Sequence, residues 1–315
     1  MKPTKPLAVL FIASVISIAS SFAGSNSTYD FLRTDVSARA GALAGSYVSI
    51  MNDPTTIFYN PAGLSTLEKP AGSLGFFKHL LDINSGYVSY SQPYEDIGYF
   101  GIGLLYVNYG TFNETDDLGN KLGTFGASDF ALSLGYSNPI EENLYWGANL
   151  KFIYSSIAGS TSTGLAADLG ILYNIPDSRI TLGASLRNVG AQLSSYLSTR
   201  ENLPVDFVIG GSVTPKGIPL LVNLNFHKLN EDVGNFGERF KAFSIGGEFT
   251  LSKVLQARVG YNNEQRSELK TGTSSGLAGF SGGIGITVKE YKVDYALSSL
   301  GSIGSLHRIT IGTTF

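Results

Sequence analysis

From Ala71 to Phe315 the chain alternates apolar and polar positions with period two, in segments separated by turn formers. The clearest segment runs from Tyr145 to Ser155. Trp146, Ala148, Leu150, Phe152 and Tyr154 fall on one face, and Gly147, Asn149, Lys151 and Ser155 on the other. Period two is the signature of a strand, whose successive side chains point to opposite sides. The pattern recurs with Phe130, Leu132, Leu134 and Tyr136 against Asp129, Ala131, Ser133 and Gly135. It recurs again with Leu165, Ala167, Leu169, Ile171 and Tyr173 against Asp168, Gly170 and Asn174, and with Leu220, Val222, Leu224 and Phe226 against Asn223, Asn225 and His227.

Candidate strands fall near 71–80, 84–92, 97–110, 127–138, 143–156, 163–175, 179–190, 204–215, 218–228, 240–251, 254–262, 277–289, 291–299 and 307–315. After the first hairpin the connections alternate short and longer. The longer ones are 111–126, 157–162, 191–203, 229–239, 263–276 and 300–306. Short turns on one side and longer loops on the other are what a membrane meander produces, and nothing in a soluble sandwich requires them. The sequence therefore predicts an all-β fold, a transmembrane antiparallel β-barrel of about fourteen strands. Both termini would lie on the short-turn, periplasmic side, and Leu150 and Phe152 would face lipid. On that reading Leu150→Arg is costly, whereas Lys151→Ala, on the polar face, is expected to be much milder.

Composition strengthens this. Gly 38, Tyr 17 and Phe 19 accompany only 15% charged residues, where a soluble domain carries about 25%. Trp146, Tyr136, Tyr154, Tyr173 and Tyr261 sit at strand ends, where interfacial girdles lie. The small face carries Lys151, Asp168, Arg187, Asp206, Glu248, Arg258, Asp294 and Arg308 among many Gly and Ser. The signs alternate between several successive strands, so these charges are expected to pair across a lumen. An ion-conducting constriction is the sharper alternative.

The opening residues have the order of a secretory signal. Lys2 and Lys5 precede the apolar run Leu7 to Ile18, and Ser21 and Ala23 occupy the small positions before Gly24. An uncleaved anchor is the other reading, but the run is short of the roughly 20 residues that span a bilayer. The expected division is a signal peptide at 1–23, an N-terminal plug segment at 24–70 and the barrel at 71–315. Residues 29–70 lack strand periodicity. Ser37 to Ala44 is Ala-rich and fits a short helix, and Asn52-Asp53-Pro54 and Asn60-Pro61 are turn formers. Such a segment belongs inside the barrel or across its mouth.

The succession SARAGALAGSYVS, NDPTTIFYNPAGLS and then Gly-rich strands resembles the PorV/PorQ family of bacterial outer-membrane proteins, itself similar to FadL-type transporters of hydrophobic compounds. The resemblance implies a plugged fourteen-stranded barrel. It also implies a hatch at Asn60, Pro61, Ala62 and Gly63, either a gate on a ligand path or a plain turn in the plug. Pro61 fixes φ, Asn60 is pushed towards extended conformations, and Gly63 permits positive φ. The function it implies is a non-enzymatic component handling exported proteins at the cell surface, as in type IX secretion. A FadL-like passive transporter of hydrophobic small molecules is the alternative. The partners implied are outer-membrane lipid, the barrel-assembly machinery that reads a terminal aromatic such as Phe315, and secreted cargo with secretion-system subunits. For a protein-handling member, cargo would meet the long loops.

Other chemistry is thinly represented. Cysteine is absent, which removes disulfides, thiolate nucleophiles, thiolate metal sites and lipoprotein acylation. Net charge is −3 without a basic cluster, which excludes nucleic acid as a partner. Gly279-Phe280-Ser281-Gly282-Gly283 has the spacing of a hydrolase elbow, but it lies in a strand pattern and not at a strand-to-helix turn. His79, His227 and His307 have no chelating spacing, and Asp116 and Asp117 lack the spacing of a calcium loop. No enzyme, cofactor or metal is expected.

Overall fold

The structure, a computed structural model, describes residues 27–231, 233–270 and 276–315. The signal expected at 1–23 lies outside them. Fourteen strands form: β1 Ala71–Lys78, β2 Asn84–Tyr94, β3 Gly98–Thr115, β4 Lys121–Glu141, β5 Leu144–Ile157, β6 Ser160–Ile175, β7 Ile180–Ser194, β8 Asp206–Val213, β9 Leu220–Phe226, β10 Phe243–Thr250, β11 Leu255–Asn262, β12 Phe280–Val288, β13 Tyr291–Ser299 and β14 Ser305–Thr314. They pair antiparallel in chain order, and β1 closes on β14 from Ala71↔Thr314 to Lys78↔His307. Closure removes the unpaired edge that an open sheet would leave.

The barrel is inside out relative to a soluble protein. Leu150 is 56% exposed, whereas its chain neighbour Lys151 is 3% exposed. The outward face carries Leu74, Val88, Ile102, Leu134, Leu169, Val259, Ile286 and Ile309, all exposed. At the short-turn end Tyr94, Phe100, Tyr136 and Trp146 stack edge to face at centroid distances of 5.5, 5.2 and 5.7 Å. At the other end Phe243, Tyr261 and Phe280 form a second aromatic run.

Two connections differ from the sequence expectation. Residues 111–126 are not a loop. After a register shift between Asn108 and Thr111, β3 and β4 pair on from Thr111↔Gly126 to Thr115↔Lys121. Gly110, with φ 81, reads as a turn signal but serves a bulge, the surplus residue being absorbed without ending the ladder. The 157–162 connection likewise shrinks to Ala158-Gly159, both at positive φ, the requirement of a tight primed hairpin turn.

Residues 27–67 lie against the inner faces of the strands. Short turns start at polar caps: Ser37 accepts from Ala40 N ahead of the helix Ala38–Ala42, Asp53 caps the 3-10 turn Pro54–Phe58, and Asn60 caps Pro61–Thr66. Polar caps followed by proline in the first turn satisfy donors that a turn leaves unpaired. Ser27 bridges Asn202 in the β7–β8 connection, at the longer-loop end, whereas Phe315 N donates to Pro70 O at the short-turn end. The described residues therefore begin and finish at opposite ends of the barrel, because the segment ahead of β1 runs the length of the interior before the first strand begins. The N-terminal end on which the expectation of two periplasmic termini rests lies outside the described residues.

Candidate functional site: the barrel interior and its N-terminal segment

The small face seats this segment through glycines. A Cβ on Gly147 would strike the Pro61 and Ala62 backbone, and one on Gly260 would come within 2.6 Å of Ala44 N. Gly246 and Gly283 leave the same room for Leu43 and Ala42. Asparagines then stitch backbone to backbone. Asn60, 1% exposed, donates from Nδ2 to Val48 O at 2.7 Å and to Ile171 O of β6 at 3.0 Å. Its Oδ1 accepts from Ala62 N at 3.1 Å. Asn149 of β5 donates to Ile57 O at 2.6 Å. Pro61, Ala62 and Gly63 are buried. Gly63 does not take positive φ. It is required for space, since its Cβ would lie 2.7 Å from that of Thr56.

The charged residues named from the sequence all point inward, and most are paired. Lys151 Nζ lies 2.7 Å from Asp168 Oδ2 and donates to Asn188 Oδ1 at 2.8 Å. The bulge that carries Asn188 at φ 59 also turns its N–H onto Asp168. Arg187 pairs with Asp206. Arg258 bridges Glu248 and Asp294, each at 2.6 Å. Arg308 differs, donating instead to Asp35 O at 3.0 Å and Ser298 Oγ at 2.8 Å.

Arg39 and Asp53 were not singled out by sequence reasoning. Arg39 holds Glu248 of β10 through two hydrogen bonds at 2.8 Å and Asp53 at 3.1 Å, tying helix, turn and wall together. Burial opposes the charge on Asp53, yet Arg39, with Lys292 and the Thr55 and Tyr47 hydroxyls, holds its carboxyl below the ordinary value. A cavity of about 170 Å³ at the short-turn mouth reaches this cluster, lined by Arg39, Asp53, Lys292 and Asp294 among others. The available signal was the basic residue inside an Ala-rich helix that the lumen must bury.

Towards the longer-loop end the lining becomes apolar. Tyr29, Phe31 and Leu32 pack with Phe77, Tyr87, Leu105, Val107 and Ile153. The histidines lie apart, bonded to Ser85, Ser244 and Tyr295 respectively. Ser281 lies within β12, which follows a turn at Gly279. Asp116 caps its own turn through Leu118 N and Asn120 N.

Compared with family models and with curated proteins, the sequence matches none. Among solved structures it is similar to the toluene transporter TbuX of Ralstonia pickettii, at 12% identity and TM-score 0.62, covering 89% of this chain and 98% of that one. The toluene transporter TodX of P. putida gives 14% and 0.61 with the same coverage. A Pseudomonas aeruginosa FadL homologue gives 13% and 0.57, again over 89% and 98%. The fold is FadL-like. This likeness supports the wider resemblance read from the sequence and lends no support to PorV/PorQ membership. FadL-like here means a closed fourteen-stranded barrel, and at such identities it means nothing narrower.

Proposed function

We propose that this FadL-like barrel sits in a bacterial outer membrane and passes small hydrophobic molecules, without chemistry, past an N-terminal plug. The observation that carries the reading is the fold shared along nearly the whole length of proteins described as toluene transporters. The outward apolar face with an aromatic run at each end supports the membrane setting. The apolar lining around Phe77, Leu105, Val107 and Ile153 supports a hydrophobic solute. On this reading the residues ahead of Gly24 serve export, the short turns face the periplasm and the longer connections face outward.

Passage then requires part of residues 27–67 to move. Asn60 to Gly63 are the anchored part, since Asn60 spends both its amide nitrogen and its oxygen on bonds within the segment and to β6. The protein-handling reading drawn from the PorV/PorQ resemblance, with secretion subunits as partners, has no comparable observation behind it.

Radiolabelled toluene uptake by cells without hydrocarbon channels of their own tests the proposal. Cells expressing the protein should take up toluene faster than vector controls. Equal uptake, with heat-modifiable gel migration showing an assembled barrel, overturns it.

A further inference from the structure

The β3–β4 ribbon stands free of the barrel wall. β2 stops pairing with β3 at Asn84↔Asn108, and β5 stops pairing with β4 at Ile157↔Ala127. Beyond those points Thr111–Thr115 and Lys121–Phe125 pair as strands only with each other among the described residues. A two-stranded ribbon in water is marginally stable, and its unpaired edges are templates for a further strand. Natural edges are usually blunted by proline, bulges or repeated lysine. Lys121-Leu122-Gly123-Thr124-Phe125-Gly126 has no proline and a lysine only at its tip; its one irregularity is at Leu122, where the register steps from Glu114↔Gly123 to Thr115↔Lys121, and Gly123–Gly126 above it pair without a break.

The direction of the free backbone groups follows from one bond. Gly126 O accepts from Ala158 N at 3.2 Å, so Gly126 faces the β5 side. Alternation along the strand turns Thr124 N–H and C=O the same way, past the end of β5, where no strand meets them. Phe125, by contrast, faces β3 and stacks on Phe112 at 5.4 Å. The side chains around this edge have a consistent character. Leu122 is 65% exposed and Phe112 40%. The Glu114 carboxylate reaches over Gly123, whose Cβ position lies 3.4 Å from Glu114 Oε2, towards the free edge. Asp117 is exposed at the tip.

We propose that Lys121–Gly126 is a docking edge for an extended cationic polypeptide segment, which adds as a strand beside β4. Backbone pairing at Thr124 supplies the hydrogen bonds. Apolar side chains of the guest cover Leu122, and its lysine or arginine meets Glu114. Strand addition to an exposed edge is a general mode of peptide recognition, with register read by alternate side chains.

The test uses the full protein in nanodiscs and a fluorescent octapeptide of alternating lysine and valine, with the glutamate–valine octapeptide as its counterpart. The lysine peptide should bind saturably and the glutamate peptide should not. Thr124→Pro removes only the outward donor and should weaken binding about tenfold while the β3–β4 ladder persists. Glu114→Lys should weaken the lysine peptide about tenfold and admit the glutamate peptide. Heat-modifiable migration confirms that each variant is an assembled barrel. Equal affinity of Thr124→Pro and the parent, equal binding of both peptides, or retention of lipopolysaccharide in place of peptide overturns the proposal.

Discussion

Leu150 and Lys151 are adjacent in the chain and face opposite worlds. Leu150 and its outward neighbours touch a surface that any apolar side chain satisfies. Lys151 lies in a network where Asp168, Asn188 and Asn149 each have an assigned partner. The outer face is thus specified by its solvent and the inner face by named contacts. The outside should be tolerant of sequence within a chemical class, and the inside should not.

The largest effect is expected inside. Lys151→Ala leaves Asp168 buried and unpaired, and breaking a buried pair costs about 3–5 kcal/mol. This replaces the expectation of a mild change, which weighed the polar face without the partner that Lys151 neutralises. The double variant Lys151→Met with Asp168→Leu should recover most of the loss, since well-packed apolar replacements of buried pairs are often neutral. Urea unfolding in lipid vesicles measures both, and a near-neutral Lys151→Ala would erase the contrast.

Leu150→Arg should cost about 2–4 kcal/mol near mid-bilayer, whereas Leu150→Ile should change little. If both were equally harmful in the same assay, the outer face would be specific after all.

Gly147→Val should cost about 1–3 kcal/mol by overpacking against Pro61 and Ala62, or displace the segment altogether. The matched change on the outer side, Ala148→Val, should be silent. A cysteine at Thr56, which is fully buried, reads displacement directly. It should resist a maleimide from either side in the parent and react once Gly147→Val is added. Labelling in the parent would show that the segment is not seated there.

The smallest effect concerns pH. Asp53 has a folded pKa below its usual 3.8. Its contribution is therefore present above that value and is lost as pH falls through the lower folded value. Stability in the same urea assay should fall only in strongly acid buffer, and the acid-dependent part should vanish in Asp53→Asn.

Much of the barrel was legible because a strand with one apolar outward side must alternate, as Trp146 to Tyr154 do, and the turn residues between strands mark the reversals. The bulge at Gly110 was not legible as such, since a glycine that absorbs an extra residue looks the same as one that ends a strand. Asn60 was found as a turn former before Pro61 and through the resemblance that implied a hatch there. Its bonds to Val48 O and Ile171 O were not, because they join residues far apart in the chain.

The sequence alone determined which face of each strand turns outward, roughly where strands turn, and that residues 29–70 could not be wall. Those are local properties, set by each side chain's transfer free energy and each residue's allowed φ. Only the tertiary structure decided that Arg39 joins Glu248 to Asp53, that the segment enters from the longer-loop end at Asn202, and that Gly147, Gly246, Gly260 and Gly283 are seats. These depend on which surfaces meet once the barrel has closed, and a glycine carries no mark of the neighbour for which it makes room.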